Sequence, residues 1–101
     1  MINIYKSTQN DIITIKLEGR LDTVSSPEVQ AVVDEFIDSA KAFVFDFNNL
    51  KYLSSAGLRI LLTTQQIMEE TGRPNVTVLG ANEEVLEIFA VTGFDCVLNI
   101  K

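Results

Sequence analysis

Phe43-Val44-Phe45-Asp46-Phe47 and, a little further on, Leu53-Ser54-Ser55-Ala56-Gly57-Leu58 decide how this chain is read. The first block is apolar on both parities except at Asp46, the pattern of a strand covered on both sides. After the second block, a run from about Ser55 to Thr71 places Leu58, Leu61, Leu62 and Met68 on one face of a helix. Gly72 is positioned to end that helix, and Pro74 follows it. The two serines therefore stand where a strand hands over to a helix. There the N–H groups of the first turn point outward and the helix dipole favours negative charge. Such a place suits a phosphate, bound or covalently attached.

Toward the N-terminus, Ile2-Asn3-Ile4-Tyr5 and Ile13-Thr14-Ile15-Lys16-Leu17 alternate as strands do, with Gln9-Asn10-Asp11 as the turn between them. Gly19 breaks the second run, and Leu21-Asp22-Thr23-Val24 reads as a loop. Ser26-Pro27-Glu28 then has the layout of a helix start: hydroxyl cap, proline in the first turn, early acid. Val29, Val32, Val33, Phe36, Ile37 and Ala40 follow at helical spacing, which predicts a helix that buries that face. Toward the C-terminus, Asn75-Val76-Thr77-Val78-Leu79 is a further strand. Asn82-Glu83-Glu84 opens a third helix through Val85, Leu86, Phe89 and Val91, and Gly93 stops it. Cys96 to Ile100 reads as the last strand. The order β-β-α-β-α-β-α-β predicts one α/β domain over residues 1–101, a mixed sheet packed with helices.

Composition narrows the functions. Eight Lys and Arg against fourteen Asp and Glu give a net charge of −6, and the basic residues are scattered. That argues against a nucleic-acid surface and for an acidic domain that binds other proteins. No histidine is present, so neither Ser-His catalysis nor a His-ligated zinc site is available. The single cysteine, Cys96, forms no internal disulfide or paired-thiolate metal site. In a final strand it is expected to be a small buried hydrophobe. The apolar runs are far short of a membrane span and the first residues lack a signal-peptide layout, so a cytoplasmic protein is expected.

The chain resembles the STAS family, the anti-sigma factor antagonists of bacterial partner-switching systems. The resemblance covers nearly the whole length. It rests on Gly19-Arg20-Leu21-Asp22, Phe45-Asp46-Phe47, Tyr52-Leu53-Ser54-Ser55-Ala56-Gly57-Leu58-Arg59 and Val91-Thr92-Gly93-Phe94, of which the serine block is the most specific. It implies a STAS domain whose first serine, Ser54, is phosphorylated by a partner that is both a serine kinase and an anti-sigma factor. A PP2C-type phosphatase reverses the modification. The unphosphorylated protein binds the kinase and frees the sigma factor; phosphorylation ends the binding. The free protein is expected to be a monomer. Many members carry an Asp immediately before the phosphorylated serine, and here that position is Leu53.

Each candidate residue also has a plain structural reading. Ser54 is placed to be a helix N-cap, worth about 1 kcal/mol. Ser55 is either the alternative acceptor or a first-turn residue bonded locally. Asp22 matches a family position that contributes to partner recognition, with Thr23 beside it, and is otherwise a loop acid or a cap. Gly57 allows close approach, either of a partner or of the preceding loop, or has a plain packing role. Arg59 is expected to face outward near Ser54, to meet an acid on the partner or the phosphate, or simply water. Asp46 is expected to pair locally. With Asp22 it makes only a weak magnesium site, because two acids lack a third ligand. No catalytic residue, metal or cofactor is assigned.

Two other functions compete with the antagonist. One is a STAS subunit of another assembly, in lipid transport or stress signalling, whose serine is never modified. The other is a sensor of a nucleotide or small anion at the start of the second helix. Ser54-Ser55-Ala56-Gly57 has one glycine and no following lysine, unlike a phosphate-binding loop. A hydrolase with Ser54 as nucleophile lacks an adjacent base.

Overall fold

The computed structural model describes residues 2–101. Its elements are β1 (Ile2–Gln9), β2 (Ile12–Leu21), α1 (Ser26–Phe36), β3 (Ala42–Leu53), α2 (Ser55–Glu70), β4 (Thr77–Leu79), α3 (Glu83–Thr92), a single 3-10 turn (Phe94–Cys96) and β5 (Asn99–Ile100). The strands form one sheet in the order β1-β2-β3-β4-β5. β1 and β2 are antiparallel, and the remaining pairs are parallel. The predicted element order and α/β class hold.

The β1–β2 hairpin closes through Asn10 (φ 53°) and Asp11 (φ 64°). A two-residue loop with both φ values positive matches the twist of the flanking strands, and Asn and Asp tolerate that conformation. Gly19 does not end β2. It sits inside the strand at φ 104°, beside register shifts against β3 at Lys16/Glu18 and Gly19/Arg20. Lys16 pairs with Asp46 but Glu18 pairs with Asn49, so β3 carries an extra residue there, as a bulge requires. The consequence is visible in burial: β3 buries Phe43, Phe45 and Phe47, then Leu50 and Leu53. The spacing changes from two to three, which hides the second half of the strand from a period-two reading. β3 thus runs to Leu53, beyond the expected stop at Phe47.

One core lies between one sheet face and all three helices. Ile13, Ile15 and Leu17 of β2, the three β3 phenylalanines, and Val76 and Val78 meet Val29, Val33, Ile60, Leu61, Met68, Val85 and Phe89 in a single cluster. The rings of Phe45 and Phe47 pack edge to face, with centroids 6.2 Å apart. On the opposite face Thr14, Lys16, Val44, Asp46, Thr77 and Leu79 are only half-buried. The expectation that β3 is covered on both sides is therefore corrected: its second face is open.

Other corrections are local. α1 stops at Phe36, and Ala40 reaches the core from the following turn. There the Arg73 guanidinium donates to the carbonyls of Ile37 and Ala40, each at 2.7 Å. On α2, Leu62 faces outward while Ile60, Thr64 and Gln65 are buried with Leu61 and Met68. On α3, Val85 and Phe89 enter the core, whereas Leu86 and Val91 stay exposed. Cys96 lies in the 3-10 turn and is exposed, not buried in a strand. Gly93, left-handed at φ 80°, ends α3, and the chain turns through Phe94–Cys96 before it joins the sheet at Asn99.

Candidate partner-binding site

The site is built where β2 and β3 end together. Leu21 and Leu53 are register partners, and the Ser54 N–H donates to the Leu21 carbonyl at 2.9 Å. That bond ties the start of α2 to the Asp22–Ser25 loop, so the two stretches singled out in the sequence form one surface. Ser54 is the N-cap of α2, with extended backbone (φ −88°, ψ 174°). Its hydroxyl accepts from the Gly57 N–H at 3.4 Å, which satisfies one of the first-turn donors. Ser55 is the first residue of the helix. It is exposed, and its hydroxyl makes no hydrogen bond among the described residues.

Gly57 is buried beneath this turn. A Cβ there would stand 2.7 Å from Leu21 Cγ and 2.7 Å from Leu53 Cδ1. The space that a side chain would need is thus filled by the chain's own leucines. This surrounding accords with a packing role for Gly57. Leu53 itself is 4% exposed, which makes it a core residue.

Asp22 organises the loop. Its Oδ1 accepts from the Val24 N–H and the Ser25 N–H, each at 3.0 Å, and from the Ser25 hydroxyl at 3.2 Å. The Ser25 amide, foremost, with the Ser25 hydroxyl and the Val24 amide, holds the Asp22 carboxyl below its ordinary range, against an opposing push from burial. Ser25 in turn accepts from the Asp22 N–H at 2.9 Å and donates to the Arg20 carbonyl at 2.8 Å. The hydroxyl expected to cap α1 was that of Ser26; the N-cap position belongs to Ser25, whose side chain serves the loop and caps nothing. Thr23 and Val24 are left at the tip, exposed, Val24 at 88%.

Arg59 lies one turn beyond Ser55 and is exposed. It forms no ion pair among the described residues. With Ser26, Gln30, Ser55 and Thr63 it lines a cleft of about 450 Å³ between the starts of α1 and α2. Asp46 plays no part here. Its Oδ1 accepts from the backbone N–H of Asn48 at 3.0 Å and from the Asn48 side-chain amide at 2.7 Å, the local pairing that was expected.

Three contributors were not singled out from the sequence. The Arg20 guanidinium stacks over the Tyr52 ring at 4.2 Å and lies 3.9 Å from Asp22 Oδ2, a cation–π pair leading to the serines. That pairing follows from strand register and has no local signal. Val24 did have one: an apolar residue among polar loop neighbours.

The model of the STAS domain matches residues 3–101. The chain belongs to the STAS family. A relative from Staphylococcus aureus, the anti-sigma-B factor antagonist, is 23% identical over 99% of this chain and 93% of its own length. The STAS fold is shared with solved structures of SpoIIAA, an anti-sigma factor antagonist, in its unphosphorylated form: TM-score 0.85 at 17% identity, covering 98% of this chain and 88% of that one. The phosphorylated form, from Bacillus, gives TM-score 0.80 at 16% identity over 98% of this chain and 91% of that one. Among the described residues of this STAS domain, no helix is long and apolar enough to cross a membrane.

Proposed function

We propose that this STAS domain is an anti-sigma factor antagonist that works by binding and catalyses nothing itself. Its unphosphorylated form binds an anti-sigma serine kinase and so releases a sigma factor; phosphorylation within the Ser54–Ser55 pair ends the binding, and a PP2C-type phosphatase restores it. The observation that carries the reading is the serine pair held at an exposed helix start against the Asp22–Val24 loop. The name of the Staphylococcus aureus relative points the same way.

Within the pair, geometry favours Ser55 as the acceptor over Ser54. The Ser54 hydroxyl is engaged as the cap, whereas Ser55 is exposed and unengaged. Leu53 adds a second reason. Its side chain is in the core, where an acid would be desolvated at a cost of several kcal/mol. The family's acid-then-serine order fits better one residue along: Ser54 at the cap, a position Asp and Ser fill equally well, and Ser55 after it.

A phosphate brings about −1.5 to −2 charges and three acceptor oxygens. The start of a helix accommodates them, so the fold survives. A partner packed against Ser55 must instead desolvate a dianion. A loss of about 3 kcal/mol at that contact lowers affinity roughly a hundredfold.

The test is mass spectrometry of the tryptic peptide Tyr52–Arg59 from protein recovered from its host in growth and in stress, with fragmentation between the serines. Phosphate on Ser55 with state-dependent occupancy is expected. Phosphate confined to Ser54 keeps the switch but reverses the assignment of acceptor. No phosphate in either state, with full peptide coverage, replaces the switch by a constitutive interaction module.

A further inference from the structure

We propose that the groove between the end of β3 and α3 receives an apolar segment of the protein partner whose flanks carry Lys or Arg. The groove exists because β4 is short. Its last residue, Leu79, pairs with Asp46, yet β3 continues to Leu53. The chain after Leu79 stays beside the first part of that overhang, where the Asn82 amide donates to the Leu50 carbonyl at 3.3 Å, and past Leu50 it is α3 that faces the end of β3. The resulting groove is about 510 Å³. Leu53 and Val85 form its buried floor. Tyr52, Ile88 and Val91 are its walls, and Val91 is 81% exposed.

The rim selects the occupant. Glu84, Glu87, Ile88 and Val91 follow one another at three-and-four spacing, so they form a single stripe of α3 that is acidic at its start and apolar at its end. Glu84 and Glu87 make no ion pair among the described residues. In a chain of net charge −6, uncompensated carboxylates around an apolar floor repel acidic segments and favour basic ones. The groove ends at Leu53, the residue before Ser54, so it lies at the same end of β3 as the serine pair. One partner can cover both, and the inference rests on the reading of this domain as a partner-binding module.

The photoreactive residue p-benzoylphenylalanine placed at Arg59, on the serine surface, or at Val91, in the groove, tests the two surfaces separately in the host cell. Both positions are exposed, so the fold is retained. The expected result is that both capture the same protein and that the peptide joined at Val91 carries an apolar run flanked by Lys or Arg. With that protein purified, the double substitution Glu84→Lys and Glu87→Lys is expected to raise Kd at least tenfold at low salt, and by less at high salt. Capture at Arg59 without capture at Val91 overturns the groove alone. So does an acidic segment joined at Val91, or a Kd unchanged within twofold by charge reversal. Capture at neither position overturns the groove and the binding function together.

Discussion

Gly57→Ala is the substitution whose outcome the structure fixes most closely. The new methyl would lie 2.7 Å from Leu21 Cγ, 2.7 Å from Leu53 Cδ1 and 2.9 Å from Leu21 Cδ2. Both leucines are buried, at 1% and 4% exposure, so neither can swing into solvent to make room. Forcing a methyl into such a core costs about 1–3 kcal/mol. Alanine's better helix propensity returns up to about 1 kcal/mol, less in the first turn, where few helical bonds have formed. The net loss is about 1–2 kcal/mol, which for a domain of this size lowers Tm by roughly 5–15 °C. Urea denaturation should show the midpoint falling with the slope unchanged. Adding Leu53→Val removes the δ carbon that clashes, and the pair should be less destabilised than the sum of the singles by at least about 0.5 kcal/mol. A Gly57→Ala protein melting at or above the parent would mean that the two leucines yield to the methyl and only the propensity gain operates.

The remaining predictions are more local. Because the Asp22 carboxyl is held below its ordinary value in the fold, its ionised form stabilises the protein above about pH 4 and that contribution disappears as pH falls through the folded value. Asp22→Asn should flatten this acid limb in urea midpoints measured from about pH 2 to pH 7; curves parallel to the parent's would contradict it. Gln65 accepts from the Val76 N–H at 2.7 Å and donates to Asn75 Oδ1 at 2.9 Å while 3% exposed. Gln65→Leu strands a buried N–H and should cost about 1–3 kcal/mol, measured by thermal unfolding. Cys96 is exposed, so a thiol reagent should label the native protein at the rate of an open thiol; labelling only after unfolding would return it to the core.

The serine block, the hairpin turn at Asn10-Asp11, the Asn82 cap and the Gly93 stop are all local signals, and each stands where the sequence places it. Asn82 Oδ1 accepts from the Val85 N–H at 2.9 Å, as a cap should. The errors are of another kind. Leu62 and Leu86 are spaced for burial as well as their neighbours are, but the width of the buried face depends on how far each helix leans on the sheet. Phe43 to Phe47 is apolar enough to be covered twice, but the number of layers is a property of where the helices go. Cys96 sits outside the last strand because β5 pairs with so little of β4.

The order of elements, their α/β class and the two hydroxyls at a helix start are all legible along the chain, because capping, turn chemistry and periodicity act over a few residues. The cap bond from the Gly57 N–H to the Ser54 hydroxyl is likewise local, whereas the tie from the Ser54 N–H to the Leu21 carbonyl, which joins the serines to the Asp22 loop, depends on the meeting of distant segments. Only the tertiary structure placed Arg20 on Tyr52, set Leu53 in the core and opened the groove beside α3. These arise from strand register, two bulges and unequal strand lengths, which are settled between segments distant in sequence and leave no mark on either one.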